Sequence, residues 1–284
     1  MLDGHDLRLP AAAEAELDEL LGAARSAAAA GARKALEWAK QPAQLTVQEK
    51  RGRRDLVSDA DRDAEHAIRS TLRALRPDDA WLGEESGGAR GISGIRWAVD
   101  PIDGTTEYVY DRPGWAVSVA AVREHDRRVL AGVVVEPALH RTTEACLGRG
   151  TWCNGRRLRC RTSTDLGRAL VEVNLGAGRQ RWQGGRLIDE LVPYVRDVRD
   201  CGSAAGALAG VAAGRLDAYW GPGLREWDAA AGLLLVNEGG GKTGDLTGDS
   251  EGAWPASGDI LAANPGLWEQ LAPRLLDVYP ISLP

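Results

Sequence analysis

Residues 97–109, WAVDPIDGTTEYV, set Asp100 and Asp103 three positions apart across Pro101, ahead of Gly104-Thr105-Thr106. Two carboxylates held that close repel, and one takes up a proton unless a positive charge stands between them. The apolar run before Asp100 reads as a buried strand that ends in its acids. The Gly-Thr-Thr after Asp103 reads as a turn that starts a helix. The stretch asks for a cation, and the rest of the chain decides which.

The chain has 284 residues, enough for one large domain or two closely packed ones. A net charge of −6 argues against a general nucleic-acid binder, which carries a basic surplus. No apolar run reaches the roughly 18 residues that span a bilayer, so no membrane partner is expected. The opening MLDGHDLRLP has neither a basic leader nor an apolar core, and reads as a mobile tail rather than a secretory signal. Cys146, Cys153, Cys160 and Cys201 form no C-x-x-C pair. They read as reduced, mostly buried thiols of a cytoplasmic protein. Ten Trp with no Phe has no physical explanation beyond supplying aromatic volume.

Leu17, Leu20, Leu21, Ala24, Ala28, Ala35 and Trp38 predict an amphipathic helix over 14–40. A second helix follows TVQEKRGRRDLVSDAD, an irregular or hairpin segment, with Ser58 and Asp61 placed as a capping box. From Trp115 to Cys160 the pattern is all strand, and Asn154-Gly155 marks a hairpin. Beyond RTSTDLG (161–167) strands and helices alternate, with helices expected around 183–195, over 203–214, from Trp227 and from Pro265. This predicts an α/β (α+β) layered chain of two parts, 1–162 and 163–284, packed as one compact unit. GGGKTGD (239–245) resembles the tail of a P-loop. Val236 stands where the upstream glycine is required, and the segment follows a helix instead of preceding one, so that reading fails.

Glu84 and Glu85 in GEES, Asp100, Asp103, and Asp228 in EWDAAAG each end a buried run or begin a helix. Taken singly, each could be a cap or a solvated turn residue. Together, oxygen-only donors suit a hard cation, and Mg2+ above Ca2+ where water and phosphate share the site. The four His lie in polar contexts and no Ser-His-Asp pattern exists, so water is the expected nucleophile.

GEES, DPIDGTT and WDAAAG, in this order, resemble the inositol monophosphatase family of metal-dependent phosphomonoesterases. DLVSDAD, AGVVVEPA, GRGTWCNG, GSAAGALAGVAAGRLDAYW and NEGGG extend the likeness from about Lys50 to the C-terminal region. The resemblance implies a layered α-β-α-β-α sandwich of the sugar-phosphatase type, with a large antiparallel sheet and a smaller mixed one. It implies two or three Mg2+ per site, held by Glu84, Asp100, the Ile102 carbonyl, Asp103 and Asp228. Glu84, with a Thr–Asp pair at Thr105 and Asp61, would assist the attacking water. Asp61 also suits its helix as a plain first-turn carboxylate. Gly104 and Thr105 would cradle the phosphate, with Lys50 nearby, and Gly202, Ser203 and Ala204 would flank the organic portion beside Asp103 and Asp228. A homodimer and inhibition by lithium are further implications.

The likeness departs at two places. A glutamate that reaches the inositol ring in the family is Gly221 here, and the residue after DPIDGTT is Glu107 where Asn is common. Gly221 predicts a preferred ester other than plain inositol monophosphate and room for a larger or more anionic one. Arg225 reads as a partner for an acidic group, or as an ordinary exposed arginine. The leading expectation is a small phosphorylated inositol, cyclitol or sugar. Histidinol phosphate and 3′-phosphoadenosine 5′-phosphate are the alternatives, and a non-catalytic regulatory member comes last because no expected ligand is missing.

Overall fold

This computed structural model describes residues 11–50, 56–175, 180–250 and 252–279. MLDGHDLRLP, read above as a tail, and the RGRRD part of the expected hairpin lie outside them. Two helices form the first layer, α1 (Ala11–Ala39) and α2 (Asp59–Leu75). Between them, β1 (Val47–Glu49) and β2 (Leu56–Ser58) pair antiparallel. The two helices meet at Gly31, where an added Cβ would stand 2.6 Å from Cδ1 of the fully buried Ile68. A side chain buried like Ile68 contributes about 1.5–3 kcal/mol.

Under this layer lies a sheet of eight strands: β3 (Ala80–Gly83), β4 (Gly87–Ala89), β5 (Ile95–Asp103), β6 (Ala116–Arg123), β7 (Val129–Glu136), β8 (Arg141–Cys146), β9 (Thr151–Cys153) and β10 (Arg156–Arg157). A short helix, α3 (Thr105–Val109), follows β5. The strand order is β10-β9-β8-β7-β6-β5-β3-β4, antiparallel throughout except for the parallel pair β3–β5. At the β9–β10 turn Asn154 and Gly155 have φ of +48° and +78°. Both central residues are left-handed, as a tight Asn-Gly hairpin requires.

The second sheet is mixed. It holds β11 (Leu170–Val173), β12 (Asp197–Arg199), β13 (Ala218–Gly221), β14 (Lys242–Asp245), β15 (Gly248–Asp249) and β16 (Ile260–Ala263), in the order β12-β11-β13-β16-β14-β15. Between the sheets run α5 (Ala204–Ala212) and α6 (Glu226–Glu238), and α4 (Gln180–Leu191) and α7 (Pro265–Val278) cover the outer face. The result is the expected α-β-α-β-α order.

The Ala and Gly richness of α5 and α6 follows from their central position. Gly132 of β7 lies so close to α6 that a Cβ would stand 2.9 Å from the Ala231 Cα. A Cβ on Gly232 would meet Leu208 of α5 at 2.4 Å. The thinnest side chains thus set the spacing of the middle layer. All four cysteines are free, Cys146 and Cys160 buried, Cys153 half-buried and Cys201 exposed. Two of the four are buried, fewer than the expected majority. Among the described residues no helix is long and apolar enough to cross a membrane.

Candidate active site

Strand β5 runs through the D-P-I-D segment rather than stopping at Asp100. Asp100 faces Ser118 across the ladder and Asp103 faces Ala116, so β5 carries one more residue than β6 over this step. That is a bulge, at the one residue, Pro101, that has no N–H to offer the ladder. Side chains alternate along a strand, which would send positions 100 and 103 to opposite faces. The extra residue reverses the phase and gathers both acids on one side. The Ile102 N–H donates to Asp100 Oδ1 at 3.0 Å, which pins the loop.

The capping box forms as read. Asp61 Oδ2 accepts the Ser58 N–H at 2.7 Å and the Ser58 hydroxyl at 2.6 Å. Its other oxygen, Oδ1, accepts from Thr105 Oγ1 at 3.1 Å, and that hydroxyl is also 3.2 Å from the Ile102 carbonyl. Asp61 is therefore a cap and a partner of Thr105 at once. Burial raises its carboxyl above the usual range, against the Ser58 hydrogen bonds.

Glu84 follows the end of β3. The turn after it is held by Glu65 of α2, which accepts the N–H groups of Glu85 at 2.8 Å and Ser86 at 2.9 Å. Gly83 makes room, because a Cβ there would strike Glu65 Oε2 at 2.6 Å. Lys50 donates to Glu84 Oε1 at 2.9 Å and also pairs with Glu85. Burial pushes the Glu85 carboxyl up to about 7 in spite of Lys50. On Lys50 the two glutamates outweigh burial and raise the ammonium's pKa.

Asp103 and Asp228 cap the two central helices. Asp103 Oδ2 accepts from Ser203 Oγ and the Ala205 N–H, each at 2.6 Å, at the start of α5. Asp228 Oδ2 accepts the Arg225 N–H at 2.8 Å at the start of α6. Both helices thus point their partially positive ends at the acids. Burial, then the charges of Glu84, Asp103 and Asp228, push the Asp100 carboxyl well above the ordinary range. Burial raises Asp103 to about 7 against its Ser203 and Ala205 hydrogen bonds. Asp228 rises through burial and then through Asp103.

This set is rich in charge and not yet closed. Among the described residues no three acidic, His or Cys side chains already stand gathered to hold a metal ion. Donor chemistry nevertheless fits a hard cation. Four carboxyls that bear on one another in this way need protons or a cation among them.

The glycines around the acids are close approaches. Gly104, at φ +92°, caps α3, and a Cβ there would stand 2.8 Å from the Gly114 carbonyl. Gly202, at φ +102°, leaves room for Glu107, whose Oε2 would otherwise be 2.1 Å from a Cβ. Ala204 is buried as the first residue of α5. So Lys50, Asp61, Glu84, Asp100, Ile102, Asp103, Thr105, Ser203 and Asp228 form one connected neighbourhood, with Gly104, Gly202 and Ala204 at its margin.

Gly221 does not open the space expected of it. A Cβ there would lie 2.4 Å from the Tyr219 hydroxyl and 2.8 Å from Leu224 Cδ1. Tyr219 is buried and its hydroxyl has no hydrogen-bond partner among the described residues. Arg225 is exposed and serves the site through its backbone N–H. The residues absent from the sequence reading are Glu65, Gly114, Tyr219 and the amide of Ala205. Only Glu65 left a signal, an acid four residues after Asp61 on the buried face of α2.

A family model described as the inositol monophosphatase family matches residues 16–279. Inositol-1-monophosphatase SuhB of Mycobacterium tuberculosis is 38% identical over 231 residues, covering 78% of each chain. A relative named Nus factor SuhB, from Escherichia coli, is 36% identical over 230 residues, covering 80% of this chain and 85% of its own. The crystal structure of extragenic suppressor protein suhB from Bartonella henselae superposes with a TM-score of 0.81 at 30% identity, over 94% of this chain and 98% of that one. The bulged D-P-I-D strand, the acids capping α5 and α6, and these matches agree: the chain belongs to the inositol monophosphatase family.

Proposed function

We propose that the chain is a Mg2+-dependent phosphomonoesterase that hydrolyses an inositol, cyclitol or sugar monophosphate. The observation that carries this reading is the bulge that turns Asp100 and Asp103 to one side of β5, where the charges of Glu84 and Asp228 bear on Asp100. Glu84, Asp100, the Ile102 carbonyl, Asp103 and Asp228 would hold two or three Mg2+. When bound, the ions supply positive charge that offsets the carboxylates and the phosphate, and lower the pKa of nearby water.

The chain's own groups handle the proton and the substrate. Thr105 Oγ1 donates to Asp61 Oδ1 and so keeps a lone pair free to accept a proton from the attacking water. Its own proton then passes to Asp61, fixed in place by Ser58. Lys50 already stands beside Glu84, and we place its ammonium against a phosphate oxygen. Amides at Gly104 and Thr105 would take the other phosphate oxygens, and Gly202, Ser203 and Ala204 would border the leaving group.

A second reading has one observation on its side. Relatives of this chain include proteins named Nus factor, which fits a regulatory member that binds a partner and turns over no ester. Within the catalytic reading, histidinol phosphate and 3′-phosphoadenosine 5′-phosphate are the alternative substrates. A panel of phosphate esters assayed with Mg2+ and with EDTA separates these. The expected result is release of phosphate that needs Mg2+ and stops in EDTA. Equal turnover in metal-free buffer ends the metal reading, and no turnover of any ester leaves the regulatory one.

A further inference from the structure

Away from the acids, four guanidinium groups line a cavity of about 220 Å3, where the end of α2 meets the β3–β4 edge of the large sheet. They belong to Arg69, Arg73, Arg76 and Arg90. Arg73 and Arg76 suit the C-terminal end of α2 by their charge alone. Arg69 lies a turn further back and Arg90 follows β4, so the dipole of α2 explains neither.

Among the described residues, Asp79 is the one acid on the wall, and it is already engaged. Its Oδ2 accepts from Arg76 Nε and from Trp97 Nε1, each at 2.9 Å, and its Oδ1 accepts from Arg76 Nη2 at 3.3 Å. Among the described residues no carboxylate stands within ion-pair distance of Arg69, Arg73 or Arg90. Arg69 is nevertheless fixed in place. Its guanidinium lies 5.4 Å over the Trp81 ring, and its Nη1 is 3.4 Å from Ser86 Oγ, which also accepts the Trp81 indole N–H at 2.9 Å. Three cations facing one small space repel, and an anion brought between them relieves this. Trp81 and Trp97 are 6% and 2% exposed, so they offer ring edges and no face on which a base could stack. Small-molecule sites begin at about 300 Å3, so this cavity suits a compact ion.

We propose that this cavity is a second anion site, apart from the acid cluster, and that it takes a compact diphosphate group through Arg69, Arg73 and Arg90. A carboxylate has too few oxygens for three guanidinium groups, whereas a diphosphate can meet each of them, and its charge answers theirs. None of the acids at the candidate active site lines this cavity, so the proposal stands independently of the phosphatase reading. Arg73 and Arg90 are the variants of choice, because both are exposed and the loss of either leaves no described carboxylate unpaired.

The test is a calorimetric titration of the full chain with sodium pyrophosphate, in metal-free buffer at low salt. Without a cation the acid cluster repels an anion, so binding reports on sites elsewhere. One equivalent is expected to bind, and Arg73→Gln and Arg90→Gln should each weaken it by about tenfold or more. Arg156→Gln is the control. It removes the same charge from β10, at the opposite edge of the sheet, and should leave the affinity unchanged. No binding overturns the site, and so does binding that neither cavity variant weakens or that Arg156→Gln weakens equally. ADP then separates the free ion from a diphosphate on a larger carrier. ADP binding that Arg73→Gln weakens as it weakens pyrophosphate binding assigns the carried group, and failure of ADP to bind assigns the free ion.

Discussion

Asp228→Asn is expected to cut turnover by about a hundredfold or more while leaving a folded chain that is no less stable without metal. The loss follows from the role proposed for Asp228. A carboxylate that offsets a bound cation is replaced by a neutral group of the same shape, and deleting one such electrostatic contact costs about 10²–10³ in kcat. The fold should survive because the asparagine keeps an oxygen for the Arg225 N–H, now held at 2.8 Å, so α6 stays capped. Stability has reason to rise, since the carboxyl of Asp228 is half-buried and faces the charges of Asp103 and Glu84. Removing a like charge from such a cluster relieves repulsion. The measurements are phosphate release under Mg2+ and the midpoint of thermal unfolding in EDTA. Turnover within a few-fold of the parent would take Asp228 out of the site. A large fall in the unfolding midpoint would mean that its charge holds the fold together and not the cation.

How much of this was legible depended on the range of the interaction. Ser58 with Asp61, and Asn154 with Gly155, act within three residues, and both formed as read. Asp100 and Asp103 could be paired from their spacing. The bulge that turns both to one face could not, because it exists only in the register between β5 and β6. Asp103 reads locally as a strand-end acid. Its hold on Ser203 and Ala205 spans about a hundred residues, and no local pattern announces it. Gly221 misled for the same reason. The sequence shows a missing side chain but not the Tyr219 ring, two residues back on the same strand, that fills its place. The expectation of mostly buried thiols holds for Cys146 and Cys160 and not for Cys201, which is exposed beside the left-handed Gly202.

Gly114→Ala should cost both stability and turnover, and it tests how the two halves of the site are held together. Gly114 precedes β6 and lies against the loop that leads into α5. A Cβ on it would stand 2.1 Å from the Cys201 carbonyl oxygen, and 3.3 Å from both the Cys201 carbonyl carbon and the Glu107 Cγ. The nearest atom is backbone, so no side chain can turn aside. The two loops must part by about 1 Å to reach even the closest spacing that real Cβ atoms show. Overpacking of this kind costs about 1–3 kcal/mol. The kinetic effect should be larger, because the Cys201 loop carries Ser203, which holds Asp103 at 2.6 Å. A shift of about 1 Å in a positioning element costs about a hundredfold in rate. Gly185→Ala is the control. It lies in α4, no atom of the described residues stands within 4 Å of its added Cβ, and it should raise stability by about 0.5–1 kcal/mol. Gly114→Ala with kcat/KM within twofold of the parent, beside a lowered unfolding midpoint, would show that this contact serves the fold alone. Loss of turnover at an unchanged midpoint would show that the loops part easily and that the contact exists to set the distance between Gly104 and Ser203.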